Sequence, residues 1–286
     1  MISPSGARLA VVPGLLCAAL LAGCSISGGV TSGGSALEGV TVKLEGPAQR
    51  TDTTGSDGAY SFTSLLAMGT YTVTPSKPGH EMTPASQQVL INDYFERARG
   101  INFTARKLDP VVAPVLRSAT VTDLQNDGTF DDINFASPVE VHALMTSYLN
   151  RPSTKRAIFE FDLSGVSRTV PVRSAVLQFT VLALGGAPGG IQLAFWGYRG
   201  DGTLNLADAV AGDALVGTVP IASSGTTYQI DLTPFVQQLM SAGAVVAGLN
   251  VRIHNEATVT VGQLCSIVGV PAATTTYPSP RLTIAY

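Results

Sequence analysis

What this sequence has least of is charge. Lys, Arg, Asp and Glu together make up 13% of its 286 residues, against about a quarter in an average globular protein. The formal balance is −3, and the lysines and arginines are scattered rather than striped. A nucleic-acid partner requires a basic face, so that class is excluded. Cysteine is nearly absent too: only Cys17, Cys24 and Cys265 occur. The first two lie close to the N-terminus, which leaves Cys265 alone in the folded part and rules out a disulfide framework there. A buried, inert thiol on a strand is the expectation for Cys265. Catalytic signatures are missing as well. His80, His142 and His254 form no H-E-x-x-H pair, no cysteine pair offers a zinc site, and neither G-x-S-x-G nor G-x-x-x-x-G-K is present. The expectation is a non-enzymatic chain, although triads built from distant residues leave no motif.

Gly, Ser, Thr, Ala and Val fill the deficit, and the hydrophobic share is 45%. That balance suits an all-β protein with Thr- and Ser-faced strands and Gly turns. The length allows one large or two ordinary domains.

Residues 9–22 (LAVVPGLLCAALLA) contain no charge. The run is too short to span a bilayer core of roughly 30 Å; it has the length and flanks of a signal-peptide core. It closes on Leu21-Ala22-Gly23-Cys24, which resembles the bacterial lipobox. The resemblance implies a signal peptide over 1–23, acylation of the Cys24 thiol and of the new amino end, and a membrane partner held through that lipid anchor. An extracytoplasmic location follows. Ser25 stands where an Asp would resemble an inner-membrane retention signal, which points to the outer membrane or cell surface in a diderm source. Residues 24–35 are rich in Gly and Ser and read as a flexible tether.

A first module is expected over 36–105. Val40, Val42 and Leu44 alternate with polar residues, Ser56-Asp57-Gly58 is a turn signal, and Tyr60/Phe62 and Tyr71/Val73 alternate in turn. The order Thr53, Thr54, Asp57, Gly58, Tyr60, Phe62, Leu66, Gly69, Tyr71, Val73 and Gly79, with the tail 84–104, resembles the carboxypeptidase regulatory-like, transthyretin-like domain. The resemblance implies a small Greek-key sandwich that serves as a spacer or scaffold without catalytic residues. Residues 106–115, with Pro110 and Pro114, read as a linker.

A second module covers 116–286. Phe159, Phe161 and Leu163 alternate with Ile158, Glu160 and Asp162; Leu249, Val251 and Ile253 alternate with Asn250, Arg252 and His254. One short helix is expected, with Thr233 as N-cap, Pro234 at the first position and Gly243 past the end. Its buried face would be Phe235, Val236, Leu239 and Met240. The ordered pieces at 159–164, 174–177, 197–202, 231–233 and 280–283 resemble the disaggregatase-related, DNRLRE-type domain. That implies a larger jelly-roll-like β-sandwich, in relatives that bind polysaccharide or serve as surface modules. An extracellular polysaccharide or a surface protein is the partner implied; polysaccharide hydrolysis is the third reading.

Four groups are candidate sites. Asp123, Gln125, Asp127, Asp131 and Asp132 surround Gly128 in D-x-Q-x-D-G-x-x-D-D, an oxygen-rich loop of the kind that holds calcium as a structural ion. Gln125 and Asn134 depart from an EF-hand, and the same residues suit turns in which side chains bond their own backbone. Asp201, Asp208 and Asp213 around Gly200 and Gly202 form a second such loop, with the same two readings. Trp196 and Tyr198 share a strand face about 7 Å apart and can serve as a sugar-stacking platform or as a half-buried aromatic pair. Glu160 and Asp162, also about 7 Å apart, match a glycosidase carboxylate spacing, but both sit on one strand, where architecture explains them.

Overall fold

β-branched and aromatic residues at alternate positions favour a pleated strand, which sends alternate side chains to opposite faces. The computed structural model describes residues 23–146, 152–186, 190–212, 214–259, 262–269 and 277–286. The segment expected as a signal peptide, up to residue 22, and Asp213 lie outside the described residues. In chain order the strands are β1 (Cys24–Ser32), β2 (Ser35–Ala36), β3 (Thr41–Glu45), β4 (Arg50–Thr53), β5 (Ala59–Leu65), β6 (Gly69–Ser76), β7 (His80–Thr83), β8 (Gln87–Ile91), β9 (Arg97–Ala98) and β10 (Phe103–Lys107). They continue as β11 (Val111–Ala113), β12 (Val115–Asp123), β13 (Asp132–Asn134), β14 (Val139–Thr146), β15 (Pro152–Asp162), β16 (Ser174–Gly185) and β17 (Ile191–Arg199). The last five are β18 (Ala214–Ile221), β19 (Thr226–Asp231), β20 (Val246–Ile253), β21 (Gln263–Ile267) and β22 (Arg281–Ala285), with one α-helix, α1 (Thr233–Ser241), after β19. The fold class is all-β, as the alternation requires.

The chain forms two compact units. One comprises the described residues up to Lys77 with Met82–Arg106; the other comprises Pro78–Glu81 with Lys107–Tyr286.

In the first unit, one sheet runs β4-β3-β6-β8, and in a second β1 pairs with β2, β5, β9 and β10. Val42, Leu44, Tyr60, Phe62, Tyr71, Val73 and Phe103 fill its core. The stretch expected as a tether is instead the strand β1, at the centre of its sheet. It pairs antiparallel with β5 and parallel with β9 and β10. Ile26 and Val30 are fully buried. Its Gly/Ser composition has a packing cause: a Cβ on Gly28 would lie 1.9 Å from the Ile101 carbonyl oxygen. Glycine here permits close approach rather than flexibility.

The second unit carries one 12-stranded sheet whose main path is β11-β22-β16-β21-β14-β15-β20-β17-β18. Residues 106–115, expected as a linker, contain β11, which pairs with β22 as Val111–Ile284 and Ala113–Leu282. Pro110 and Pro114 bracket it, as prolines do on an edge strand. Phe159, Phe161, Leu163, Leu193, Phe195, Leu249 and Val251 form the main core. Helix α1 buries Phe235, Val236 and Leu239. Its N-cap position is Leu232, not Thr233. Asp231 Oδ1 accepts from the Thr233 amide at 2.8 Å, so the capping carboxylate lies one residue before the cap position.

Strand β15 departs from half-burial. Its outer residues Ile158 and Glu160 are as fully buried as Phe159 and Phe161. A second, smaller cluster covers them: Ala119, Val121, Phe130, Tyr198, Leu204 and Ala209.

Candidate functional site

The outer face of β15, β20 and β17 gathers several of the sequence candidates: Glu160, Trp196 and Tyr198, with Asp201 and Asp208 in the turn above them. Glu160, Gly248 and Tyr198 form one row across the three strands; Ile158, Asn250 and Trp196 form the next. Trp196 and Tyr198 therefore share a face, as their spacing requires. Residues 200–212 fold over it. The turn Leu206–Ala209 is closed by a capping box, in which Asn205 accepts from Ala207 and the Asp208 carboxylate accepts from the Asn205 amide at 2.7 Å. The side chain of Asn250, fully buried, donates to the carbonyls of Asp208 at 2.8 Å and Ala209 at 2.6 Å. One amide thus fastens the covering turn to the sheet.

Beneath the turn lie two orphaned polar atoms, Glu160 Oε2 and the Tyr198 hydroxyl. Glu160 Oε1 accepts from the Asp201 amide at 3.2 Å. Burial raises the Glu160 carboxyl above the usual range, and the neighbouring Asp208 and Asp201 raise it further against the backbone hydrogen bonds from Asp201 and Gly202. Burial likewise raises Asp208 and pushes the Tyr198 phenol well up. No cation is among the groups acting on Glu160; its acid form is the one this environment stabilises.

Two arginines complete the face. Arg252 lies over the Trp196 ring at 4.8 Å, and Arg156 over the Phe130 ring at 4.6 Å. Arg156 also pairs with Glu256. Burial, then the charge of Arg156, lowers Arg252 to about 10. Arg156, Asn250, Arg252 and Glu256 carried no local signal in the sequence. Asn250 and Arg252 occupy alternate positions that read as a solvent face, and only the fold places a lid over them.

These contacts correct the carbohydrate platform. Tyr198 is 8% exposed, with its ring packed against Gly248, and Trp196 is half-buried beneath a guanidinium. Tyr198 does not present the open ring face that sugar stacking needs, and Arg252 takes one face of Trp196. The calcium expectation fares similarly. Asp123, 2% exposed, accepts from the amides of Asp127 and Gly128 at 3.2 and 2.8 Å. Asp127 accepts from Thr129, Asp131 from Leu124, and Asp201 from Thr203. Asp132 is exposed at the start of β13. Each of these bonded carboxylates stabilises its own turn. Among the described residues, no three His, Cys, Asp or Glu side chains are grouped to hold a metal ion.

Glu160 and Asp162 do not work as a pair either. Glu160 is sealed under the lid, whereas Asp162 accepts from the Ser164 amide at 2.7 Å, a bond that lowers its pKa. His142 is buried on β14 without a hydrogen bond at Nε2. Burial and Lys155 lower it to about 4. Cys265 is fully buried on β21, and burial raises its thiol to about 12, which keeps it protonated and inert.

Cys24, the expected lipidation site, opens β1 opposite Leu65. It is fully buried, and its thiol donates to the Leu65 carbonyl at 2.9 Å. The β1–β5 register shifts between Cys24 and Ile26, so Cys24 lies beyond a bulge from the regular ladder. Among known families, the carboxypeptidase regulatory-like domain matches residues 25–104. The regulatory-like domain thus includes most of the stretch expected as a tether. No curated protein matches the chain. Three solved structures illustrate its remote similarities. A streptococcal ancillary pilin is 16% identical, with 48% of this chain and 52% of that one covered, at a TM-score of 0.27. The major pilin SpaD of Corynebacterium diphtheriae is 12% identical over 92% and 58%, at 0.26. SGBP-B from a xyloglucan utilization locus of Bacteroides uniformis is 12% identical over 87% and 70%, at 0.25. The chain spans about half the length of the solved proteins it matches first. Scores this low define neither a shared topology nor a shared function.

Proposed function

We propose that this chain is a non-catalytic, lipid-anchored extracytoplasmic surface protein whose second unit is a rigid scaffold for contacts outside the cell. The observation that carries the reading is the position of Leu21-Ala22-Gly23-Cys24. The motif closes an uncharged run, and the first strand of the regulatory-like domain starts at its cysteine. Acylation requires the Cys24 side chain to leave its buried place. The bulge after Cys24 confines that change to the end of β1, because Ile26 and Val30 keep their own pairing. Among the described residues, no helix is long and apolar enough to cross a membrane.

The non-catalytic part draws support from the carboxylates, which stabilise their own turns or, like Glu160, lie sealed in the sheet face. The burial of Tyr198 and the cover on Trp196 favour a protein partner over a polysaccharide for the second unit. The test is expression of the full chain in a bacterial host that processes lipoproteins. Detergent-phase partition and the intact mass of the N-terminal peptide should show acyl groups on Cys24, and Cys24→Ala should move the protein to the aqueous phase. An unmodified Cys24 in the wild type overturns the anchor. Release of oligosaccharides from a polysaccharide panel overturns the non-catalytic reading.

A further inference from the structure

In the first unit, every large apolar side chain left exposed lies at one end: Leu66, Met68, Leu90, Tyr94 and Phe95, with Phe95 73% and Leu66 63% exposed. Strand register places them together. Leu66 and Met68 lie between β5 and β6, and Tyr94 and Phe95 between β8 and β9. Gly69 pairs with Ile91, so both loops leave the same end of the β6–β8 ladder; Leu90, opposite Thr70, is one residue inside it. In the other sheet Cys24 pairs with Leu65 and Ser25 with Arg97, and the Ser25 amide donates to the Glu96 carbonyl at 2.9 Å. The first residues of β1 therefore emerge between the two apolar loops.

Both loops are held in shape. The Phe95 amide donates to Asp93 Oδ1 and the Asn92 amide to Glu96 Oε2, each at 2.8 Å. The Tyr71 hydroxyl donates to the Ala67 carbonyl at 2.7 Å, and Arg50 donates to the carbonyls of Thr63 and Ser64. Held loops that point large apolar side chains at solvent mark an interaction surface rather than a loosely packed core.

We propose that this end of the regulatory-like domain is a membrane-contact surface, with Phe95, Tyr94, Leu66 and Met68 seated in the interfacial layer of the bilayer beside the anchor. The occupant follows from where β1 begins: Cys24, the residue that would carry the acyl chains, opens β1 at this same end, opposite Leu65. The inference rests on the lipid-anchor reading. Charges at this end balance, Asp93 and Glu96 against Arg50 and Arg97, so the contact is apolar and needs neither anionic lipid nor low salt. It turns a point attachment into a surface contact and fixes which end of the domain faces the membrane.

The test uses the full lipidated chain with Phe95→Trp, reconstituted in vesicles of brominated phosphatidylcholine, and the unsubstituted chain as reference for the native Trp196 signal. Intact mass is measured on the same sample. With acyl groups present, the introduced indole should be blue-shifted and lose at least half its emission to the bromines, at low and high salt alike. Leu66→Ser with Tyr94→Ser should abolish that quenching while leaving the far-ultraviolet circular dichroism and the melt unchanged. Acyl groups present without quenching overturn the membrane contact and leave the anchor standing. Self-association of the vesicle-free, detergent-solubilised protein that the serine pair abolishes, again without quenching, assigns the patch to a second copy and overturns the inference. An unmodified Cys24 overturns both.

Discussion

Gly248→Ala tests how tightly the lid over β15, β20 and β17 is packed. A Cβ at that position would lie 2.2 to 2.5 Å from three atoms of the Tyr198 ring, where carbon atoms prefer about 3.5 to 4.0 Å. The ring must shift by more than about 1 Å. It has little room, being 8% exposed and enclosed by Leu204 and Ala209. Overpacking of this kind costs about 1–3 kcal/mol. For a unit of this size each kcal/mol moves the melt by about 2–4 °C, so a fall of roughly 2–12 °C is expected. The decisive arm is the same substitution in a Tyr198→Ala background. Removing the ring alone costs about 3–5 kcal/mol. With the ring gone, Ala at 248 should cost nothing, and can stabilise by about 0.5–1 kcal/mol because Gly weakens a strand interior. Scanning calorimetry of the four proteins gives a coupling of at least about 1 kcal/mol if the packing is as described. Equal losses in both backgrounds would refute it.

Four further outcomes follow. Because burial holds the Glu160 carboxyl up, the folded chain keeps that proton at pH values where the unfolded chain has lost it; the resulting stability is complete below the unfolded carboxyl pKa and is lost as pH rises through the folded value. Urea unfolding from about pH 4 to about pH 8 should therefore show Glu160→Gln gaining on wild type as pH rises, and parallel curves would count against a buried acid. His142, lowered to about 4, binds its proton more readily when unfolded, so stability should fall as pH drops from about 6.5 toward that value, and His142→Gln should flatten that limb. Gly28→Ala, which sets a Cβ against the Ile101 carbonyl, should lower the melt of the regulatory-like domain by several degrees, as no substitution in a true tether would. Arg252→Lys should weaken the contact over Trp196 and shift its fluorescence, since a planar guanidinium can stack on an indole and an ammonium cannot.

Much of the architecture was legible without coordinates. Val40, Val42 and Leu44, Tyr71 and Val73, Phe159 and Phe161, and Leu249 and Val251 all alternate in the sequence and are all buried. Alternation is a local property of the backbone, so a window of five residues reveals it. The Gly-turn carboxylates were legible in the same way, because an Asp that bonds an amide two to five residues ahead needs only its own segment.

What failed to show locally was decided by contacts between distant residues. Gly28 reads as linker until Ile101, 73 positions on, is found against it. Tyr198 reads as a sugar platform or a half-buried ring, and only Gly248 and the 200–212 turn decide for burial. Cys24 reads as an address, and the address remains in the sequence alone. Only the fold shows that this cysteine begins a central strand between two loops of exposed apolar side chains. The sequence by itself determined that the chain is built of strands and where its polar turns fall, since both depend on neighbours along the chain. Which strand is central, which face is covered and which end is left apolar depend on closing loops tens of residues long, and the tertiary structure alone decided them.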